Sequence, residues 1–426
     1  MLDLITFEKI IYYCAITLLM NNTNGKLLLI NLIMLLSVTF TMRASTNMLM
    51  TVVPVFTKYV IDADVLFVGL TATLYGIGAM ISNVLINGRI NIEKTPRVIA
   101  FFLLVMTVGI FFYVLSNNIY EVLILSTVTG LSMGVVQPLL MTVTNVIAPK
   151  DKRDKYIAAY TASLSLSLIF GVIMEGLIVS SINIRYAFLI FLFISLASTV
   201  LMFSLSTKIK MNLKKRDRLT FKEIIKKASY SLKQGKVLFA LFGNIAYAFP
   251  FILLITYGSI MGKEYNGINP DIFFYLLALF YGVSFTARLI LSFKSVKNHE
   301  VLMYASFAAT IIGYLLLGID AGIVMFIGAL LILGFPHGAI YPTASYYIAS
   351  SVDIEDLNVV YSVFVLIMDI IAFMIPFAFG LISTLYNIRM AIYITAIPMI
   401  LLLMASVLFN VRDNRAIKKS AVAQKN

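Results

Sequence analysis

Along most of this chain the apolar positions keep neither a helical nor a strand period. They run on for twenty residues and more, and clusters of polar and charged residues cut the runs apart. Twelve stretches result, at roughly 27–57, 65–88, 98–120, 122–149, 156–184, 186–207, 237–262, 272–293, 301–319, 322–350, 357–388 and 390–411. A helix rises about 1.5 Å per residue and the hydrocarbon core of a bilayer is about 30 Å thick, so each stretch is long enough to cross as a helix. The pattern predicts an all-α integral membrane protein with twelve transmembrane spans, numbered 1 to 12 in chain order.

Residues 1–26 break the series. IIYYCAITLLM (10–20) is an apolar run too short to span, and it lacks the basic leader and small-residue cleavage site of a secretory signal. The expectation is an interfacial helix, or an early start with Met20 or Met34 as the alternative first residue.

Composition agrees with the pattern: 61% hydrophobic residues and 12% charged exclude an ordinary soluble globular chain of 426 residues. Twelve spans put both chain ends on one side. Of the 33 Lys and Arg, only Lys58, Arg185, Lys263 and Arg389 fall in loops opposite the termini, and Arg43 and Arg288 fall within spans. By the positive-inside rule both termini are cytoplasmic, in a multi-pass protein of the cell membrane. The formal charge of +13 then reports topology, and no nucleic-acid partner is needed to explain it. The densest basic segment, 208–236, sets many Lys and Arg against only Asp217 and Glu223. It reads as a cytoplasmic linker in contact with anionic lipid, between an N-terminal half (27–207) and a C-terminal half (237–411), with a basic tail at 412–426. The single cysteine, Cys14, excludes an intrachain disulfide and a cysteine-rich metal site.

An internal repeat narrows the fold. GLSMGVVQP (130–138) in span 4 and GFPHGAIYP (334–342) in span 10 share G-x-x-x-G-x-x-x-P, a displacement of 204 residues from Gly130 to Gly334. The same displacement carries NIRYA (183–187) onto NIRMA (387–391), and Gly176 onto Gly380. Asn47 and Pro54 in span 1 are echoed by Asn244 and Pro250 in span 7, with the spacing changed by one. A displacement covering six spans, an even number, gives two halves of parallel topology, as in a duplicated transporter.

With these features the chain resembles the major facilitator superfamily over residues 28–411. The family's loop 2–3 signature, roughly G-R-x-x-D-R-x-G-R-R, is matched in GRINIEKTPR (88–97) by Gly88, Arg89 and Arg97, while Ile92 and Thr95 depart from it. The antiporter-type signature of span 5, G-P-x-x-G-G, is similar to GVIMEG (171–176), where Gly171 and Gly176 match and Val172 and Glu175 depart. Its proline returns in the second half as Pro376. The resemblance implies that spans 1, 4, 7 and 10 line a central cavity and that the halves rock about a midplane site. In spans 4 and 10, Gly130, Gly134, Pro138, Gly334, Gly338 and Pro342 suit either close helix packing or gating bends.

Ionisable residues within spans are the next signal, because each costs about 2.5–3.5 kcal/mol or more at the bilayer centre unless solvated or paired. Five occur: Arg43, Glu175, Arg288, His337 and Asp369. Arg288 lies near Lys294, and snorkelling to the cytoplasmic interface explains it. Arg43, with Asn47 one turn away, either attracts a carboxylate or phosphate or forms a structural pair with Asp369 or Glu175. His337 is either a neutral packed imidazole or a group that couples protons or contacts substrate. Asp369 and Glu175 are candidate carriers of a coupling proton, Asp369 preferred for its depth. Gln137, Asn244, Tyr247 and Tyr341 add amides and hydroxyls of the kind that hold sugars, amphiphiles and drugs.

These features point to a secondary transporter working by alternating access. No nucleotide-binding G-x-x-x-x-G-K-[ST] segment is present, and two isolated histidines, His299 and His337, are too few for a catalytic or metal cluster, so neither an enzyme nor a cofactor is expected. The leading expectation is a monomeric, proton-coupled exporter of amphipathic compounds or metabolites. The alternatives are an importer or exchanger of a small organic anion, and a transporter-like membrane sensor.

Overall fold

A computed structural model of the chain describes residues 23–86, 90, 92–148, 153–209, 233–293, 296, 298–352 and 354–423. The 10–20 segment, most of the basic linker, and Gly88 and Arg89 of the loop signature lie outside the described residues. Within them are twelve long α-helices: α1 (Thr23–Tyr59), α2 (Val65–Leu85), α3 (Thr95–Leu115), α4 (Ile119–Ile147), α5 (Arg153–Ser181), α6 (Ile184–Lys208), α7 (Gly235–Asn266), α8 (Pro270–Phe293), α9 (His299–Leu317), α10 (Gly322–Ser351), α11 (Ile354–Leu385) and α12 (Ile388–Ala423). All twelve are long and apolar enough to cross a bilayer. This is an all-α, multi-pass membrane architecture.

Two boundaries differ from the sequence expectation for a physical reason. Span 3 was expected to run to 120, but α3 stops at Leu115 because Asn118 caps α4. The Asn118 side chain accepts from the Glu121 backbone N–H at 3.0 Å, and the Glu121 carboxylate accepts from the Asn117 backbone N–H at 2.9 Å. This reciprocal cap ends one helix and starts the next within apolar-compatible sequence. At the other end α12 continues to Ala423, so part of the polar tail prolongs the last span.

The chain divides into two compact units, Met1–Ala63 with Leu74–Lys214 and Asp64–Thr73 with Lys215–Asn426. In the first unit α1 packs on α4, α5 and α6, and α3 packs on α4 and α6. In the second, α7 packs on α10, α11 and α12, and α9 packs on α10 and α12. Each of these helix pairs of the first unit therefore recurs six helices later in the second.

Both repeated motifs acquire a physical meaning here. A Cβ on Gly130 would run into the Tyr75 carbonyl of α2, and one on Gly134 into the Ala79 carbonyl and Ser82 hydroxyl of the same helix. In the second unit a Cβ on Gly334 would stand 2.8 Å from the Phe280 carbonyl of α8, and one on Gly338 would meet the Ser284 carbonyl. Glycine thus lets α4 lie backbone to backbone on α2, and α10 on α8. Each second glycine also precedes a proline by four residues, so its carbonyl lacks the usual helical N–H.

The N-I-R repeat is a cap joined to a brace. Asn183 caps α6 by accepting from the Arg185 N–H at 3.1 Å, and Asn387 accepts from the Met390 N–H at 2.8 Å at the start of α12. Arg185 then donates to the Val114 carbonyl at the end of α3 (2.8 Å) and lies over the Phe56 ring of α1. Arg389 binds Asp320 just beyond α9 (3.0 Å) and lies over the Tyr265 ring of α7. One guanidinium in each unit ties the starts of α6 and α12 to the ends of two neighbouring helices.

Within the second unit, residues 65–73 of α2 pack on α7 and α11. The Tyr257 hydroxyl donates to the Pro376 carbonyl at 2.9 Å, and Thr73 donates to the Phe373 carbonyl at 2.8 Å.

Candidate functional site

Most of the polar residues singled out from the sequence fall into two groups, one in each unit. In the first, Arg43, Asn47 and Thr51 follow one another at four-residue spacing along α1, which places them near one face. Arg43, half-buried, donates from Nη1 to Gln137 Oε1 on α4 at 3.3 Å. Tyr75 and Tyr160 lie within its electrostatic reach. The Tyr75 hydroxyl is buried and makes no hydrogen bond among the described residues, and that of Tyr160 donates to the Gln137 carbonyl at 3.4 Å. Asn47 is 1% exposed and packs across from Gly171, where a Cβ would sit 3.7 Å from its Nδ2. One turn further on, Thr51 Oγ1 is 2.7 Å from Glu175 Oε2, and Glu175 is fully buried.

These contacts replace the ion pair weighed from sequence. Arg43 binds a neutral amide and Glu175 a neutral hydroxyl, so the two do not pair with each other. Glu175 stands where the resembled signature has glycine, and its added side chain reaches across the α1–α5 seam. Gly176 beside it is buried.

The second cluster centres on His337. Its ring stacks on Phe251 of α7 with centroids 4.2 Å apart, and lies 5.1 Å from Phe280, 5.8 Å from Tyr247 and 6.0 Å from Tyr281. Four aromatic rings from α7 and α8 thus surround one imidazole from α10. Such a cage stabilises a neutral ring by stacking and a protonated one by cation–π attraction. Tyr247 is 7% exposed and its hydroxyl makes no hydrogen bond among the described residues. Asn244, one turn before it, donates to the Met368 sulfur on α11 at 3.2 Å, and half-buried Asp369 follows Met368 directly.

Arg288 departs from expectation. Instead of only snorkelling, it donates from Nη2 to the His337 carbonyl at 3.2 Å. A carbonyl oxygen can accept two bonds, so this one takes the guanidinium from outside its own helix. Tyr341 is 51% exposed, away from the caged ring, and Pro138, Pro342 and Arg97 are also exposed. Sequence reasoning missed Thr51, Tyr75, Tyr160 and Phe251. Two of them had an available signal, since Thr51 follows Asn47, and Phe251 follows Tyr247, by one helical turn.

The duplicated helix packing and the glycine seams define a polytopic membrane protein with two similar units. The sequence profile of the Major Facilitator Superfamily matches residues 35–373, and the chain belongs to that superfamily. No curated protein matches it. Among solved structures it is similar to a mutant of the nucleoside transporter NupG (TM-score 0.75, 10% identity, covering 89% of this chain and 99% of that one). It is also similar to a bacterial homologue of the human lysosomal transporter Spinster in an inward-facing, unoccupied conformation (TM-score 0.71, 13% identity, covering 90% and 97%). A POT family transporter in complex with a thioalcohol-conjugated peptide is a third (TM-score 0.72, 12% identity, covering 90% and 96%). At such identities these likenesses describe the fold. Membership of the superfamily makes the protein a membrane transporter of small solutes.

Proposed function

We propose that the protein is a proton-coupled exporter of amphipathic compounds or metabolites, working by alternating access as a monomer in the cell membrane with both termini cytoplasmic. The observation that carries this reading is the α7–α8–α10 cluster, where four aromatic rings, a buried unsatisfied tyrosine hydroxyl and the Asn244 amide lie together. Aromatic surface with a few fixed polar groups suits a solute that is apolar at one end and hydrogen-bonding at the other. Buried Glu175 and half-buried Asp369 supply groups able to hold a coupling proton. The partial match of GVIMEG to an antiporter signature supports the direction.

A second reading, exchange or uptake of a small organic anion, is favoured by one observation. The single bond of Arg43 to a neutral amide leaves guanidinium donors available for a carboxylate or phosphate. Purified protein in liposomes tests both. A thermal-shift screen selects ligands, and flux is then measured with and without an imposed proton gradient. Gradient-driven movement of amphiphiles supports the first reading, and anion counterflow indifferent to the gradient supports the second. Binding without flux of any solute overturns both in favour of a sensor.

A further inference from the structure

The contact between Thr51 and Glu175 allows its protons to be counted. Thr51 has one hydroxyl hydrogen, yet its Oγ1 lies 2.7 Å from Glu175 Oε2, 2.9 Å from the Asn47 carbonyl and 3.3 Å from the Met48 carbonyl. Carbonyls only accept. The contact with the carbonyl four residues back is the one that Thr39, Thr41, Ser45 and Thr57 also make along α1, and in each the hydroxyl is the donor. If Thr51 spends its hydrogen as they do, its 2.7 Å contact with Glu175 is a hydrogen bond only when the carboxyl supplies the hydrogen. A carboxylate would leave one of the two contacts without a hydrogen. It would also leave charge on Oε1, which is buried and has no hydrogen-bond partner among the described residues.

Among the described residues no compensating cation lies beside Glu175. On α1, Arg43 lies two turns from Thr51 and binds Gln137, and Lys58 lies about two turns the other way. On α4 the only ionisable residues are Tyr120 and Glu121, exposed in the first turn. On α6, Arg185 is held by Val114 and Asn117, and Lys208 is at the far end. The other ionisable residues of α5 (Arg153, Asp154, Lys155, Tyr156, Tyr160) lie in its first two or so turns.

We infer that Glu175 is a buried proton-binding site, in which the neutral carboxyl donates to Thr51 Oγ1 and Thr51 passes its own hydrogen to the Asn47 carbonyl. Release transfers the proton from Oε2 to water admitted to the α1–α5 seam. Thr51 then turns its hydrogen to the new carboxylate and gives up the Asn47 carbonyl, so loss of the proton rearranges α1 beside Asn47 and Arg43. A role in coupling rests on the transport proposal, but occupancy by a proton does not.

Infrared spectroscopy of the purified protein tests occupancy. At neutral pH the wild type should show a protonated-carboxyl C=O band that downshifts in D2O and is missing in Glu175→Gln. Thr51→Val, which cannot accept the bond, should move that band to higher frequency. Glu175→Gln, whose amide can still donate to Thr51, should melt as the wild type does. Absence of the band overturns the inference, and so does a sodium-dependent rise in melting temperature that Glu175→Gln abolishes, which would make the site a metal-cation site. In proteoliposomes Glu175→Gln should keep counterflow and lose uphill accumulation. Uphill accumulation that survives in Glu175→Gln but is lost in Asp369→Asn overturns the coupling role. If the wild type moves no solute, the infrared band still decides the proton site, so the two failures are distinguishable.

Discussion

The hydroxyl of Tyr257 and a side chain at Gly69 would compete for one place. The hydroxyl donates to the Pro376 carbonyl at 2.9 Å, and a Cβ built on Gly69 would overlap both that hydroxyl and that carbonyl. Gly380 meets the same hydroxyl from α11, 2.6 Å from where its Cβ would be. One phenol oxygen therefore fills a hole left by two glycines.

Tyr257→Phe should cost about 0.5–1.5 kcal/mol, the usual net worth of a hydrogen bond, read as a lower melting temperature in detergent. Gly380→Ala should be worse alone and partly rescued by Tyr257→Phe, because the hydroxyl is the nearest atom its methyl meets. Gly69→Ala should not be rescued, since the Pro376 carbonyl remains in the way. A double-mutant cycle with no coupling at Gly380 would refute the geometry.

The glycine seams give a paired comparison. Gly130→Ala and Gly338→Ala, which drive a methyl into a backbone carbonyl, should sharply reduce the yield of folded protein. Gly282→Ala and Gly328→Ala, with nothing within 4 Å of the added carbon, should be neutral or stabilising by about 0.5–1 kcal/mol, as helix-interior glycines are. Size-exclusion profiles and melting curves read both.

Arg43→Lys should impair solute movement although it keeps the charge, because an ammonium lacks the planar fork. Gln137→Ala, which frees the guanidinium from its 3.3 Å partner, should alter apparent affinity more than maximal rate. Wild-type flux in a well-folded Arg43→Ala protein would remove Arg43 from the mechanism.

His337→Met places in α10 the residue that α4 carries at the matching position, Met133. Loss of stacking on Phe251 should cost about 0.5–1.5 kcal/mol, leaving the fold intact. If the imidazole changes charge during the cycle, the wild-type flux depends on pH in a way that the variant's does not. Superimposable profiles would make His337 a packing residue.

Much of the fold was legible because a bilayer imposes its thickness on the chain. The twelve spans and the duplication followed from run length and from two short repeats, and the superfamily from the resemblance of two partial signatures. What N-I-R does was not legible, because Val114, Phe56, Asp320 and Tyr265 lie far from their arginines in sequence. The candidate site was read as a set of residue types, with its partners hidden. Arg43 and Glu175 invited a pairing by charge, yet each found a neutral partner one helix away. His337 looked isolated because its cage comes from α7 and α8. Arg288 looked like a snorkelling side chain because the carbonyl it binds belongs to a helix nearly fifty residues on.

The matched seams of α4 on α2 and α10 on α8 also record the protein's ancestry. Both halves share the glycines that hold their backbones together and the asparagine–arginine pair that braces their helix ends, as a duplicated six-helix unit would. The residues able to do chemistry differ: at the 204-residue displacement Glu175 is matched by Phe379 of α11, and His337 by Met133 of α4. Differences between the two copies are thus a guide to function that this single sequence carries within itself.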